Sequence, residues 1–159
     1  MGSRLKAHNY LMSTLSDIDT CRYIYLDQIS EPVDNQLMLV ISEAVIAQEQ
    51  KPLNIGGLII DNTQPIVTDA GCHRFHLQWS SYIAYSVRNE SYTMADDYEE
   101  YRGRIAVFFH KSRYLDFVQA STFAGDEYPG RYKHWGFFCL NHIVDIVSMD
   151  EPTIQVEGV

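Results

Sequence analysis

The sequence predicts an α+β fold: a mainly antiparallel sheet of seven or eight strands, strongly curled into a half-barrel or sandwich, with one packed helix and a possible short N-terminal helix. Three observations carry this. Residues 73–92 alternate at period two, with Phe75, Leu77, Trp79, Ser81, Ile83, Tyr85 and Val87 on one side and Arg74, His76, Gln78, Ser80, Tyr82, Ala84, Ser86, Arg88 and Glu90 on the other. Apolar segments of strand length recur between turn residues along the rest of the chain, without the strand–helix alternation of a parallel α/β protein. A helix is secure only after Ser112, a residue suited to cap it.

Taken in order, Leu5, Leu11, Met12 and Leu15 recur at loosely helical spacing, so a short helix or an arm is expected over about 1–18. Cys21 to Leu26 reads as a first strand, broken at Glu31 and Pro32. Leu37 to Ala47 is apolar on both faces and predicts a central strand. Leu53 to Ile60 reads as a strand interrupted by a bulge or close approach at Gly56 and Gly57, and Pro65 to Thr68 as a short edge strand. The alternating segment would reach on the order of 50 Å if straight, so a bend near Ser80 and Ser81 is expected, letting it serve two sheets. Ile105 to His110, Tyr132 to Leu140 and Ile143 to Val147 supply further strands. The helix after Ser112 runs to about Phe123, with Leu115 and Val118 inward. Pro152 precedes a tail expected to fray over about 153–159.

A chain of 159 residues is enough for one domain with its own core, spanning 1–159. The formal charge of −9 argues against nucleic acid, which needs a basic footprint, and favours a soluble protein with a basic partner. The odd, widely spaced set Cys21, Cys72 and Cys139 fits neither a disulfide framework nor a zinc site, so reduced thiols and a cytoplasmic location are expected. There is no apolar run near 18 residues and no signal-peptide pattern. No dinucleotide, phosphate-loop or serine-hydrolase motif occurs, and no cofactor is expected.

Four constellations have chemical potential. Cys72, His73 and His76 are metal-ligand types, but on a strand His73 and His76 face opposite sides, so no metal is expected. Cys139 with His142 has nucleophile chemistry, yet it lies in an apolar strand where a buried, inert thiol is the simpler reading. Glu90 and His110 would make an acid–base pair for hydrolysis if neighbouring strands bring them together. The segment Asp96, Asp97, Tyr98, Glu99, Glu100, Tyr101 interleaves carboxylates with tyrosines: the charge speeds approach to a basic surface, and Tyr adds contact area at low entropic cost. Asp126, Glu127 and Tyr128 form a second such spot. A ligand carrier with a cavity lined by Trp79, Tyr85 and Phe109 is a further alternative.

The run from Trp79 to Tyr92, and the segment Asn141 to Val147 with Pro152, resemble the small bacterial immunity proteins that neutralise polymorphic or contact-dependent-inhibition toxins. That resemblance implies a cytosolic, non-enzymatic inhibitor of a toxin domain, often a nuclease with a basic groove. It assigns no residue a role.

Overall fold

The computed structural model describes residues 9–157. Among them are thirteen strands and two α-helices, in the order β1 (Tyr10–Ser13), α1 (Leu15–Thr20), β2 (Tyr23–Ser30), β3 (Leu37–Ile46), β4 (Lys51–Ile55), β5 (Leu58–Thr63), β6 (Ile66–Val67), β7 (Arg74–Trp79) and β8 (Ala84–Asn89). A 3-10 turn at Glu90–Tyr92 leads through residues 93–99 to β9 (Glu100–Arg102), β10 (Ala106–Lys111), α2 (Arg113–Ser121), β11 (Lys133–Phe138), β12 (His142–Ser148) and β13 (Thr153–Glu157). A six-stranded sheet runs β1-β13-β7-β3-β2 with β6 also on β3, a five-stranded sheet runs β8-β12-β11-β10-β9, and β4 pairs with β5. Neither large sheet closes on itself, and in place of the strongly curled sheet expected there are two open antiparallel sheets that share a core. No helix among the described residues is long and apolar enough to cross a membrane.

The alternating segment joins the two sheets. It bends at residues 80–83, sending β7 into the six-stranded sheet and β8 into the five-stranded one. Phe75, Leu77 and Trp79 are buried while Arg74 and Gln78 face out. Past the bend the pattern weakens, and Val87 is exposed because β8 is an edge strand. The strand stops at Asn89 rather than Tyr92, since the Asn89 side chain accepts the Ser91 N–H and turns the chain into the 3-10 turn.

Side chains from both sheets meet in one core. Trp79 packs edge-on against Trp135 and Phe137 with ring centroids 6.2 Å apart, and Leu39, Ile41, Val144 and Ile146 fill the space around them. Each such side chain contributes about 1.5–3 kcal/mol when fully buried. The other face of the five-stranded sheet carries a second buried layer of Val107, Phe109 and Val147, and α2, with its buried Val118, reaches this face where Tyr114 packs on His134. The Phe109 ring sits so close over Gly136 that a Cβ there would be 2.6 Å from Phe109 Cε2, which requires glycine. Trp79 and Phe109 therefore lie on opposite sides of this sheet and line no common cavity, contrary to the carrier reading.

Several sequence expectations are corrected. The strand count is thirteen rather than seven or eight, because long apolar segments divide at turns and short strands such as β6 and β9 add to them. Gly56 and Gly57 are a turn, not a bulge: with φ of +58° and +95° they form the two-residue loop of the β4–β5 hairpin. The N-terminal helix lies at α1, after a strand; residues 1–8 of the expected arm are outside the described residues. Its cap is a reciprocal box, with the Thr14 hydroxyl accepting the Asp17 N–H and the Asp17 carboxylate accepting the Thr14 N–H. The tail does not fray over 153–157. Ile154 and Val156 alternate with polar residues, and β13 is held between β1 and β7. In α2, Ser112 is the N-cap and Val118 is buried as expected, although the helix ends at Ser121 and Phe117 is exposed.

Two polar devices tie the sheets together. The Asn141 side chain acts as a short piece of strand against β2, accepting the Leu26 N–H at 3.0 Å and donating to the Leu26 carbonyl at 2.9 Å. Asp19 Oδ1, at the end of α1, accepts the N–H groups of Arg104, Ile105 and Ala106 at 2.8, 2.7 and 3.1 Å. Arg104 replies by donating to the carbonyls of Asp19, Cys21 and Arg22. Burial pushes the Asp19 carboxyl up, but the three N–H donors and the Arg104 charge outweigh it and hold the group below its ordinary value of 3.8. Its stabilisation is therefore complete above the unfolded value and lost as pH falls through the lowered folded value. Asp19→Ala is expected to cost about 2–3 kcal/mol in denaturant unfolding at neutral pH, by stranding three donors. Asp19→Asn should flatten the stability profile below about pH 4; an unchanged acid slope would contradict the clamp.

Candidate functional site

β8 and β9 are opposite edges of the five-stranded sheet, so the chain between them must cross its whole width, four strand spacings or about 19 Å. This strap contains the 3-10 turn and residues 93–99. Between it and the end of the two sheets lies a groove of about 980 Å³. One wall is the strap, with Glu90, Asp97, Glu99, Glu100 and Tyr101; the other comes from the start of β2, the β11–β12 connection and Arg104.

The strap is pinned onto α2. Asp96 Oδ2 accepts from Arg113 Nε at 2.9 Å, and Asp96 Oδ1 accepts the Tyr98 N–H. The Arg113 interaction holds the Asp96 carboxyl below the ordinary carboxylate range. Tyr98 donates to Asp116 at 2.6 Å, and its ring lies 4.0 Å from Lys111 Nζ and 4.1 Å from the Arg113 guanidinium carbon. Glu99 accepts the Arg113 N–H at 3.2 Å, and Glu100 lies 3.9 Å from Lys111. Asp96, Tyr98 and Glu99 thus serve chiefly to fix the strap. Asp97 makes no hydrogen bond or ion pair among the described residues, and Glu90 offers its carboxylate to the same groove. Exposed Tyr92, Met94 and Tyr101 flank them. The sequence pattern named Tyr101 but missed Tyr92 and Met94, whose exposure depends on how the strap crosses the sheet.

Glu90 and His110 share the groove, but no hydrogen bond joins them among the described residues, and the His110 ring lies edge-on to Phe108 at 5.3 Å. Asp126, Glu127 and Tyr128 are all exposed beyond the other end of α2, a helix of nine residues or about 13 Å. There Asp126 faces Arg131 at 3.9 Å and Tyr128 stacks on Phe123. They do not share a cavity wall with the strap; Asp126 lines a separate, smaller depression.

Beneath the strap's anchor the sequence reading missed a buried polar chain. Ser112 Oγ is 2.8 Å from His134 Nδ1, His134 Nε2 is 3.0 Å from Asp145 Oδ1, and Asp145 Oδ2 accepts from Arg88 at 3.0 Å and Ser86 at 3.3 Å. Phe109 stacks on His134 at 4.1 Å, nearly parallel. These are the residue types of a hydrolytic triad, but their environment makes them structural. Ser112 and His134 are completely buried, the groove does not reach them, and Ser112 Oγ is already engaged in capping α2 through the Leu115 N–H. The tautomer that satisfies every atom has the serine hydroxyl donating to Nδ1 and Nε2–H donating to the carboxylate. β11, β12 and the N-cap of α2 contribute one residue each and β8 contributes two, a convergence that no local motif reveals.

The other candidates are engaged elsewhere. His73 lies 2.6 Å from Glu43, and His76 2.7 Å from Glu157. Burial pushes the Cys139 and Cys21 thiols up to about 12, away from the thiolate a nucleophile needs.

The fold and site define two open antiparallel sheets on one core, with a strapped groove lined by five carboxylates and by Arg22, Arg88 and Arg104. Compared with family models, curated proteins and solved structures, the chain matches no family, no protein and no structure.

Proposed function

We propose that the chain is a non-catalytic acidic binding protein that docks a basic partner domain at the strapped groove, and more specifically an immunity protein that occludes a basic, nuclease-like toxin domain in the cytoplasm. The observation that carries this is the division of labour along the strap. Asp96, Tyr98 and Glu99 hold it in place, which leaves Glu90 and Asp97 on the groove beside exposed Tyr92, Met94 and Tyr101. A surface already held in place loses little entropy on binding, and Tyr and Met are favoured contact residues. Acidic charge on a chain of net −9 accelerates approach to a basic groove.

The experiment is to co-express the chain with a basic, nuclease-like toxin domain of the same host and follow growth. Protection by the wild type and its loss with Glu90→Lys plus Asp97→Lys is expected, in a variant that stays folded. No protection, or equal protection by the variant, contradicts the reading. The shared groove also keeps Glu90 and His110 as a second, hydrolytic reading. Its signature would be turnover of a phosphodiester or glycosidic substrate abolished by Glu90→Gln.

A further inference from the structure

The β4–β5 hairpin stands apart from both large sheets. Its strands pair only with each other, and nearly every residue from Lys51 to Thr63 is exposed. The register places Leu53 opposite Ile60 and Ile55 opposite Leu58, so all four side chains lie on one face. They are 46%, 42%, 58% and 65% exposed, respectively, a continuous aliphatic face with no layer behind it among the described residues. A two-stranded sheet in water is marginal without such a layer. The hairpin is also electrically distinct, because residues 51–63 contain one cation, Lys51, and one anion, Asp61, on a chain of net −9.

We infer that this face is the contact between two copies of the chain, packed aliphatic face to aliphatic face about a two-fold axis. Three arguments select a second copy. An apolar face of identical residues complements itself under two-fold symmetry. Two chains of like charge repel elsewhere, whereas the hairpin is neutral and offers a basic partner nothing to complement. The exposures amount to on the order of 400 Å² of apolar surface per copy, and stable interfaces begin near about 1,000 Å² in total, so the contact forms a weak, concentration-dependent dimer. β4 also carries Lys51 and Pro52, which blunt its free edge against open-ended strand addition and favour a closed pair. This inference does not depend on the binding function proposed above, since the hairpin and the strapped groove share no lining residue.

The test is sedimentation of the full chain between about 1 and 200 µM, the range in which a weak pair of this kind associates. The wild type is expected to rise from the 18.3 kDa monomer toward twice that mass, more readily at high salt, where like-charge repulsion is screened. Leu58→Lys with Ile60→Lys should weaken association at least roughly 100-fold. Leu58→Thr with Ile60→Thr, which keeps strand propensity, should do the same without altering the thermal transition of the body. A wild type that stays monomeric throughout, or a dimer that survives in the threonine variant, overturns the inference. High salt slows docking of a basic partner but strengthens this contact, so failure of one proposal is distinguishable from failure of the other.

Discussion

His134→Ala is expected to destabilise the protein by about 3–5 kcal/mol, a large share of the total stability of a domain this size. Removing the imidazole leaves the Asp145 carboxylate and the Ser112 hydroxyl without their buried partner, and it opens a cavity beneath Phe109. Each loss is costly by itself: an unsatisfied buried polar group costs about 1–3 kcal/mol, and a truncated core side chain a comparable amount. Arg88 still compensates the charge of Asp145, which keeps the cost from rising further. His134→Phe restores the volume without the hydrogen bonds and should fall between wild type and alanine. Denaturant unfolding reads all three. A cost below about 1 kcal/mol for alanine would mean that the polar chain does not hold α2 to the sheet.

Glu90→Lys combined with Asp97→Lys is expected to slow association with a basic partner at least about tenfold at low salt, with the difference shrinking as ionic strength rises. Both carboxylates face the groove, and for neither is an internal partner found among the described residues. Stopped-flow mixing across a salt series measures the effect. Asp96 behaves differently, since its carboxylate is committed to Arg113. Asp96→Ala should loosen the strap and raise dissociation more than it lowers association. Equal association rates for the double-lysine variant and the wild type at low salt would remove the groove from the binding account.

Much of the architecture follows from local patterns. The alternation through Phe75, Leu77 and Trp79, the double-sided apolar run of β3, and Ser112 at the head of α2 are each dictated by a short stretch of chain. So was the bend after Trp79, because a single strand of that reach would outrun the core. What local pattern does not show is pairing. The β13 strand looks like a tail until β1 and β7 flank it, and Gly56–Gly57 looks like a bulge until both glycines take positive φ and Leu53 faces Ile60. The acidic segment was legible as a surface feature. Which of its carboxylates are free was not, because Arg113 is contributed by a helix seventeen residues further on. The Ser112–His134–Asp145 chain was invisible for the same reason: its members come from separate elements and meet only when β10, β11 and β12 lie side by side.

Hydrogen–deuterium exchange of the chain, alone and with its basic partner, tests the binding account most directly. Protection is predicted across residues 90–101 and at the β11–β12 connection around 138–143, the two walls of the groove. Protection confined to the β4–β5 hairpin or to the outer face of the six-stranded sheet, with residues 90–101 unchanged, would contradict it.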